Sequence, residues 1–313
     1  MCITFFKISK TGKYKFVIGF NREVEMTKPT KNVSYWPDDS NILGSIDLVM
    51  GGSCLAFNDK TGHFSILTNY SELPPSKKLV LGKKSRGDLV KGFASSDFYE
   101  KQSVSPEDAA LSYLKHLPKV RDNYNPFNMI VGNVKDPELK FYALEYFSEE
   151  PILLPHDVFS GMSNSSFDKP YLKLEKGLEY LNSEINSEED DSKRLEVVMA
   201  DKTNYNQGTP FDSEDSIFVQ PNSSMGRAIV CGTITTAIIA VRNNGAFTYR
   251  EKRFAFPHIL HSYNQNVDKR VKLRRVLNKI KAVGHMTRSG DYRVEVQETK
   301  VVGSIYGHES APA

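Results

Sequence analysis

The chain begins with a cysteine at the start of a strongly apolar strand. Cys2 is followed by Ile3, Phe5, Phe6 and Ile8, and this alternation and clustering is typical of a buried β-strand. An initiator methionine before a small residue is normally removed, which would leave Cys2 as the amino terminus. A free α-amine titrates near ~8 and a thiol near ~8.5, so a terminal cysteine carries its own base. The pattern fits an N-terminal nucleophile, and it fits an ordinary buried strand equally well.

A second strand is expected to run back towards Cys2. Thr11-Gly12-Lys13 predicts a hairpin turn, and residues 14–20 alternate as the returning strand. The segment Asn21-Arg22-Glu23-Val24-Glu25 follows. Hairpin geometry therefore predicts a guanidinium and carboxylates close to the terminal thiol, although charged residues are also common at a solvated strand end.

Strands, helices and then strands again are grouped along the chain. Strand patterns dominate the first 70 residues and recur at 128–132, 139–146 and 152–154. Helical patterns lie at 105–117, 171–182 and 190–201, and strands return between 217 and 254. Grouping of this kind, without regular alternation, predicts an α+β fold in which two packed sheets are flanked by helices. A doubly wound parallel sheet is not expected.

Three stretches between these elements have more than one interpretation. Residues 29–39 contain two prolines and the single tryptophan, Trp36, and are predicted to be loop-like. The glycines before Ser53 allow either a turn or a close approach of backbone to another group. The small residues at 158–164 allow backbone amides to face a ligand, or they form an irregular connection.

Composition limits the classes of function. A net charge of +3 on 313 residues does not indicate a nucleic-acid-binding protein. The three cysteines, Cys2, Cys54 and Cys231, lack metal-binding spacing, so we expect no metal site, no disulfide framework and a reducing compartment. No apolar run approaches the ~20 residues of a membrane helix, and no secretory or transit pattern is present. The expected location is the cytoplasm, with association to mitochondria or lysosomes left open.

The end of the chain has a different character. Residues 267–283 predict a basic amphipathic helix, which could contact an anionic membrane, bind a partner or pack on the core with its basic side solvated. Residues 292–302 alternate as a final strand. We therefore divide the chain into a main domain at 1–255, a helix and strand packed on it at 256–302, and a disordered tail at 303–313.

Several short motifs occur in the order that one known family shows. They are Met1-Cys2-Ile3 with Phe5-Phe6-Lys7, Asn21-Arg22 with Lys28-Pro29, Gly51-Gly52-Ser53, Leu67-Thr68-Asn69-Tyr70, Ser85-Arg86-Gly87, Asn125-Pro126-Phe127-Asn128, Gly161-Met162-Ser163-Asn164 and the segment 247–251. Together they span residues 1–255. In this respect the chain resembles the NRDE proteins, also called the transport and Golgi organisation 2 family.

The resemblance implies both a fold and a function. The implied fold is a four-layer αββα sandwich like that of N-terminal-nucleophile hydrolases, here with a C-terminal basic helix and strand. The implied function is that of a haem chaperone, which moves haem within the cell from mitochondria or lysosome-related stores. Binding of coenzyme A thioesters is also associated with the family.

The chain departs from the family pattern at three places. The signature Asn-Arg-Asp-Glu is Asn21-Arg22-Glu23-Val24 here, although the arginine-to-acid spacing of related cysteine amidases survives between Arg22 and Glu25. Cys54 replaces a tryptophan that usually follows the two glycines, and Ile234 replaces an arginine. These changes favour binding over turnover, so we expect a non-enzymatic carrier on a hydrolase-like fold.

Three hypotheses assign roles to these residues. A haem carrier needs an apolar slot, weak or absent axial ligation and cations for the propionates. The ligand-binding residues expected from the motifs are Cys2, Asn21, Arg22, Lys28, Trp36, Asn69, Ser163 and Asn164. An N-terminal cysteine amidohydrolase would instead use Cys2 as nucleophile with its own amine as base, Asn69 to stabilise the oxyanion, and Arg22 and Glu25 to tune the thiol. The third hypothesis is an acyl-CoA-binding protein of lipid metabolism.

Overall fold

Antiparallel strands dominate the structure. The computed structural model describes residues 2–72, 79–95, 108–183, 190–206, 215–221, 230–255 and 295–306. The strands are β1 (Ile3–Ile8), β2 (Tyr14–Glu25), β3 (Thr30–Trp36), β4 (Asp39–Asp47), β5 (Leu55–Asn58), β6 (His63–Asn69), β7 (Phe127–Asn133), β8 (Phe141–Glu145), β9 (Ile152–Leu153), β10 (Phe159–Met162), β11 (Cys231–Arg242), β12 (Ala246–Ala255) and β13 (Glu295–Ser304). The helices are α1 (Gly87–Ala94), α2 (Ala109–Val120), α3 (Leu172–Leu181) and α4 (Asp191–Met199).

The strands form two sheets with different connections. The first sheet has the order β10-β1-β2-β11-β12-β13, and the second runs in sequence order from β3 to β9. The predicted hairpin of β1 and β2 is confirmed, with Ile3 opposite Asn21. β11 pairs along the other side of β2, so a late segment of the chain completes the sheet that the first hairpin starts.

The inner faces of the two sheets share one apolar core. Alternation along β1 sends Phe6 and Ile8 into this core, together with Phe16 from β2. The ring of Phe16 lies 4.8 Å, between centroids, from the rings of Phe64 and Phe141 on the second sheet. Such tilted and offset aromatic pairs add to the free energy gained by burying the rings. The two sheets therefore face each other.

The helices cover the outer faces of the sheets. α1 and α2 contribute Phe93 and Leu114 to a core with Met129 of the second sheet. α3 and α4 contribute Leu174 and Leu195 to a core with the other side of the first sheet. The layers thus run helix, sheet, sheet, helix, and the expected α+β class with antiparallel sheets is confirmed. The helices expected at 171–182 and 190–201 are also confirmed, within two residues at each end.

The stretch at 29–39 corrects one expectation. It was predicted to be loop-like, but most of it forms β3 and the turn into β4. Pro29 precedes β3 and Pro37 follows it. Since neither proline lies inside the strand, neither removes a hydrogen bond from the ladder.

The end of the chain is described only in part. β13 pairs with β12 over its whole length, and Ile305 is buried against the core between the sheets. The predicted tail therefore does not include residues 303–306. The basic stretch at 267–283 and residues 307–313 lie outside the described residues. Within the described ranges, no helix has the length and apolar character needed to cross a membrane.

Gly177 on α3 offers a test of the packing between this helix and the first sheet. A methyl group at Gly177 would collide with the ring of Phe5. We expect Gly177→Ala to lower the free energy of unfolding by about 1–3 kcal/mol because the core would be overpacked, although the same change at an exposed helix position stabilises by about 1 kcal/mol. Urea denaturation measures the difference. The control is Glu175→Ala, at an exposed position of the same helix, which should change the free energy of unfolding by less than about 0.5 kcal/mol. If Gly177→Ala made the protein more stable, the packing described here would be contradicted.

Candidate functional site

A cleft of about 190 Å³ opens at one end of the two sheets. Neighbouring antiparallel strands bring the start of one strand beside the end of the next. The cleft is built from such ends, and its lining residues are Cys2, Arg22, Val24, Lys28, Asp47, Met50, Gly51, Ser53, Cys54, Leu67, Asn69, Lys83, Lys84, Ser85, Arg86, Gly87 and Asn125. We refer to it below as the cleft.

The hairpin of β1 and β2 brings Cys2 and Arg22 into the cleft together. Ile3 lies opposite Asn21, so one further step along the pair brings Cys2 opposite Arg22. Cys2 is 5% exposed and belongs to the core between the sheets. Its Sγ lies 3.9 Å from the carbonyl oxygen of Glu23. The expected neighbourhood of thiol and guanidinium is therefore present.

Arg22 is held by groups from the second sheet. Its Nη1 donates to Thr30 Oγ1 at 2.9 Å, and its Nη2 lies 3.4 Å from Asp47 Oδ2. Its buried Nε has no hydrogen-bond partner among the described residues. Lys28 Nζ lies 2.5 Å from the same Asp47 oxygen. One carboxylate thus pairs with two cations of the cleft and balances the charge of only one of them.

The charge state of Asp47 follows from these contacts. Burial by itself raises the pKa of this carboxyl, but the Lys28 ammonium and the backbone amides of Met50 and Val49 outweigh burial. The net effect lowers the pKa of Asp47 below its ordinary value. Asp47 is therefore ionised at neutral pH and acts as a fixed counter-ion.

A contact between two glycines brings Arg86 to the cleft. Gly52 has φ +70°, and a methyl group there would lie 2.6 Å from the carbonyl carbon of Gly87. The turn before β5 and the start of α1 can approach this closely only because both positions lack a side chain. Arg86 Nη1 donates to the carbonyl oxygen of Pro126 at 2.9 Å. Burial lowers the pKa of Arg86, but a guanidinium stays charged.

Cys54 is the second thiol of the cleft. Burial raises the pKa of Cys54, and the neighbouring Arg22 opposes that effect while Cys2 adds to it. The raised pKa keeps the Cys54 thiol protonated at neutral pH. Since the thiolate is the reactive and metal-binding form, the raised pKa lowers the reactivity of Cys54.

Asn69 lines the cleft, while Ser163 and Asn164 lie behind it. Asn164 donates from Nδ2 to the carbonyl oxygen of Asn69. The carbonyl oxygen of Ser163 accepts from Thr68 Oγ1 at 2.5 Å. Asn164 also accepts from the Ser71 amide through its carbonyl oxygen at 2.8 Å. This segment therefore supports the end of β6, and neither Ser163 nor Asn164 is among the lining residues.

Glu25 is a correction to the expected site. Its side chain accepts from Thr27 Oγ1 at 2.5 Å, and it does not line the cleft. Arg22 and Glu25 are three positions apart on an extended strand, and odd spacing sends side chains to opposite faces. The acid that contacts Arg22 is instead Asp47, from the second sheet.

Asn21 and Trp36 also lie away from the cleft. Asn21 donates to the carbonyl oxygens of Met199 and Ile217 at 2.8 and 3.0 Å, on the helix side of the first sheet. Trp36 is buried in the core beneath α1 and α2, with Lys91 Nζ 4.9 Å from its ring centroid. The hydrogen bonds of Asn21 and the packing of Trp36 give both residues structural roles, and Trp36 Nε1 is buried with no hydrogen-bond partner among the described residues.

Sequence reasoning missed several lining residues. Asp47, Cys54 and Arg86 were not named as site residues, although the motifs Gly51-Gly52-Ser53 and Ser85-Arg86-Gly87 were recognised. The glycines in both motifs are the signal that could have found them, since they indicated a close approach of backbone. The sequence did not show that Gly52 packs against Gly87, because this contact depends on the tertiary structure.

Positive charge dominates the cleft. Among its described lining residues, five carry a positive charge, namely Arg22, Lys28, Lys83, Lys84 and Arg86, against the single carboxylate of Asp47. The described part of the chain shows no cluster of three or more side chains suited to hold a metal ion. The arrangement is chemically suited to an anionic group close to a thiol.

A mixed α+β protein of two facing sheets, with a cationic cleft around Cys2 at the start of its first strand, is the class that these observations define. The sequence model of the Transport and Golgi organisation 2 family matches residues 1–255, and the chain belongs to this family. It is 28% identical over 272 residues to the "Transport and Golgi organization 2 homolog" of Mus musculus. This alignment covers 80% of this chain and 92% of the mouse protein. It is 27% identical over 282 residues to the "Transport and Golgi organization protein 2 homolog" of Homo sapiens, covering 83% and 96% respectively.

Asp47→Asn tests the role of the shared carboxylate. Because its pKa in the folded protein is lowered, Asp47 contributes stability above its unfolded value of about 3.9, and this contribution is lost as pH falls through the folded pKa. We expect the substitution to lower the free energy of unfolding by about 1.5–3 kcal/mol at neutral pH, with a difference from wild type that shrinks below about pH 4. Urea denaturation across this pH range measures both effects.

The control is Asp38→Asn, which removes an exposed ion pair with Lys91. Exposed pairs contribute less than about 1 kcal/mol, so this variant should stay close to wild type. A difference for Asp47→Asn that is the same at every pH would mean that charge is not the cause.

Proposed function

We propose that this protein is an intracellular haem-trafficking protein that binds haem through its propionates at the cleft. The observation that carries the proposal is the excess of positive charge around Cys2, with the buried Arg22 retaining an unpartnered Nε. Haem as the cargo is the expectation that the family resemblance supplies. Membership of a family named for transport agrees with a carrier.

Carboxylates are ligands that this lining can recognise. Arginine presents a planar set of donors that matches a carboxylate, and lysine adds a point charge. Arg22 is 3% exposed, and a charge–charge contact is stronger where water is excluded. The single carboxylate of Asp47 leaves positive charge that an anionic ligand would balance.

The size of the cleft favours partial enclosure of the ligand. Sites that enclose a drug-sized ligand measure roughly 300–1,000 Å³, whereas the cleft measures about 190 Å³. The propionates would therefore enter the cleft while the macrocycle rests at its mouth, next to Met50. A ligand held mainly by one end can leave without the protein opening, which suits transfer.

Weak ligation of the iron also suits release. A cysteine binds iron as the thiolate, and burial raises the pKa of Cys54, so this thiol disfavours ligation. The proposal keeps the cytoplasm as the location, in contact with mitochondria or lysosome-related stores.

Titration with haem, followed at the Soret band, tests the proposal. Wild type should show a saturable change, and Lys28→Gln and Arg86→Gln should each weaken binding about tenfold, because one charge contact of about 1.4 kcal/mol is lost. Lys91→Gln, which removes a cation beside Trp36 and away from the cleft, should bind as wild type does. The dimethyl ester of haem, which lacks the propionate charges, should bind much more weakly than haem.

Three results would overturn the proposal. They are the absence of a saturable spectral change, equal binding of haem and its dimethyl ester, and equal loss in the Lys91→Gln control. Coenzyme A thioesters carry phosphates that the same cations could bind. A rise in melting temperature with these thioesters and none with haem would favour the acyl-CoA-binding alternative.

A second candidate function is hydrolysis of an amide by Cys2. It is favoured by the common position of Cys2, Arg22 and Asn69 in one cleft, and the layer order agrees with an N-terminal-nucleophile fold. The Cys2 sulfur would attack the carbonyl carbon while its α-amine takes the thiol proton, and Asn69 would stabilise the oxyanion. The amine would leave with that proton, and water would then cleave the thioester. The position of Glu25 outside the cleft argues against hydrolysis.

Labelling of the cysteines tests this candidate. After removal of Met1, which intact-protein mass spectrometry detects, an acyl electrophile should modify Cys2 faster than Cys54, because the Cys54 thiol is protonated. Amide turnover should be abolished in Cys2→Ala and fall about 10²–10³-fold in Asn69→Ala if Asn69 contributes to the oxyanion hole. Labelling confined to Cys54 or Cys231, or turnover that persists in Cys2→Ala, would exclude hydrolysis at Cys2.

A further inference from the structure

Two exposed apolar turns lie at the mouth of the cleft. The first is residues 48–50, Leu48-Val49-Met50, and the second is residues 79–81, Leu79-Val80-Leu81. All six side chains are more than half exposed, and Leu81 is 98% exposed. Met50 itself lines the cleft, and the second turn leads directly to Lys83 and Lys84 in its lining. We refer to them as the two apolar turns.

The first apolar turn is held in its exposed position by Asp47. The amides of Val49 and Met50 donate to Asp47 Oδ1 at 3.0 and 3.1 Å. The Gly51 amide donates to the carbonyl oxygen of Asp47 at 2.9 Å, and the Leu48 amide donates to that of Pro29 at 3.0 Å. The same carboxylate that pairs with Arg22 and Lys28 therefore fixes the apolar turn beside them.

The second apolar turn is held in a similar way by Asn125. The Val80 amide donates to Asn125 Oδ1 at 2.9 Å, and Asn125 Nδ2 donates back to the Val80 carbonyl oxygen at 2.9 Å. Asn125 also lines the cleft. Each turn is thus anchored by a polar side chain of the cleft, while its apolar side chains are left in water.

Cations accompany the apolar turns. Lys28, Lys83, Lys84 and Arg86 line the same cleft, and Lys28 is partly exposed while Lys84 is exposed. Exposed apolar side chains next to lysines match the interface of an anionic bilayer, because the apolar groups enter the acyl boundary while the ammonium groups meet the headgroups. Each turn exposes three consecutive apolar side chains, and exposed apolar groups that are grouped in this way mark an interaction site.

We propose that the two apolar turns dock the mouth of the cleft onto an anionic lipid surface. The occupant that we assign is the bilayer, because both its apolar interior and its negative surface have counterparts here. Docked in this way, the cleft faces the membrane, and an amphipathic ligand can pass between bilayer and protein without crossing water. The proposal uses only residues 48–50 and 79–81 with the cations of the cleft, and not the stretch at 267–283, which lies outside the described residues.

Co-sedimentation with vesicles tests the docking surface, using the full chain. Wild type should bind vesicles that contain phosphatidylserine and not pure phosphatidylcholine vesicles, and added salt should weaken binding. The double variant Val49→Asp with Leu81→Asp should reduce the bound fraction at least about tenfold, because two apolar contacts are lost. The milder pair Val49→Ser with Leu81→Ser should show a smaller loss in the same direction.

The matched control is Leu153→Asp, at an exposed apolar position of β9 outside the cleft lining. It should bind vesicles as wild type does, and circular dichroism of all variants should match wild type. Haem titration of the Val49 and Leu81 variants in solution should be unchanged, which separates this surface from the ligand proposal.

Three outcomes would overturn the docking proposal. The first is no binding of wild type to anionic vesicles. The second is vesicle binding that survives both double variants, which would assign it to another part of the chain such as 267–283. The third is a wild-type dimer in solution that the double variants dissociate while vesicle binding is absent, since the apolar turns would then cover a second copy.

Discussion

The ion pair between Arg22 and Asp47 is the interaction on which the site depends. It joins the end of β2 in the first sheet to the end of β4 in the second. A guanidinium as buried as that of Arg22 needs a counter-charge, because an unpaired buried charge is strongly destabilising. Asp47 supplies that charge, pairs with Lys28 as well, and accepts from the turn at 48–50. One carboxylate therefore connects the two sheets, the cations of the cleft and the first apolar turn.

The charge surplus and the small volume of the cleft together restrict what it can bind. Its cations favour an anionic group, and its volume of about 190 Å³ admits only part of a large ligand. The apolar turns beside the mouth offer a separate surface, which we assign to a bilayer. For the carrier that we propose, binding at one end only would help release, because a fully enclosed ligand dissociates slowly. The cleft thus combines recognition of charge with an open route for exchange.

Part of this arrangement could be predicted from the sequence, and the particular residues show why. The apolar alternation from Ile3 and the turn at Thr11-Gly12-Lys13 were sufficient to pair β1 with β2 and to bring Cys2 beside Arg22. The same strand period separates Arg22 from Glu25, a consequence that the sequence interpretation overlooked. Trp36 was expected in the site as an aromatic residue of an apolar slot for haem, but pairing of β3 with β4 buries it beneath the helices. Asp47 could not be chosen, because no local pattern links it to Arg22.

The sequence by itself determined the α+β class, the first hairpin, the helices α3 and α4, and the neighbourhood of thiol and guanidinium. These features follow from periodicity and turn chemistry, which act between residues close together in the chain. Only the tertiary structure decided that Asp47 is the acid of the site, that Arg86 reaches it past Gly52 and Gly87, and that two apolar turns flank its mouth. The physical reason is that these contacts join separate sheets and loops, and their partners are selected by packing between the elements.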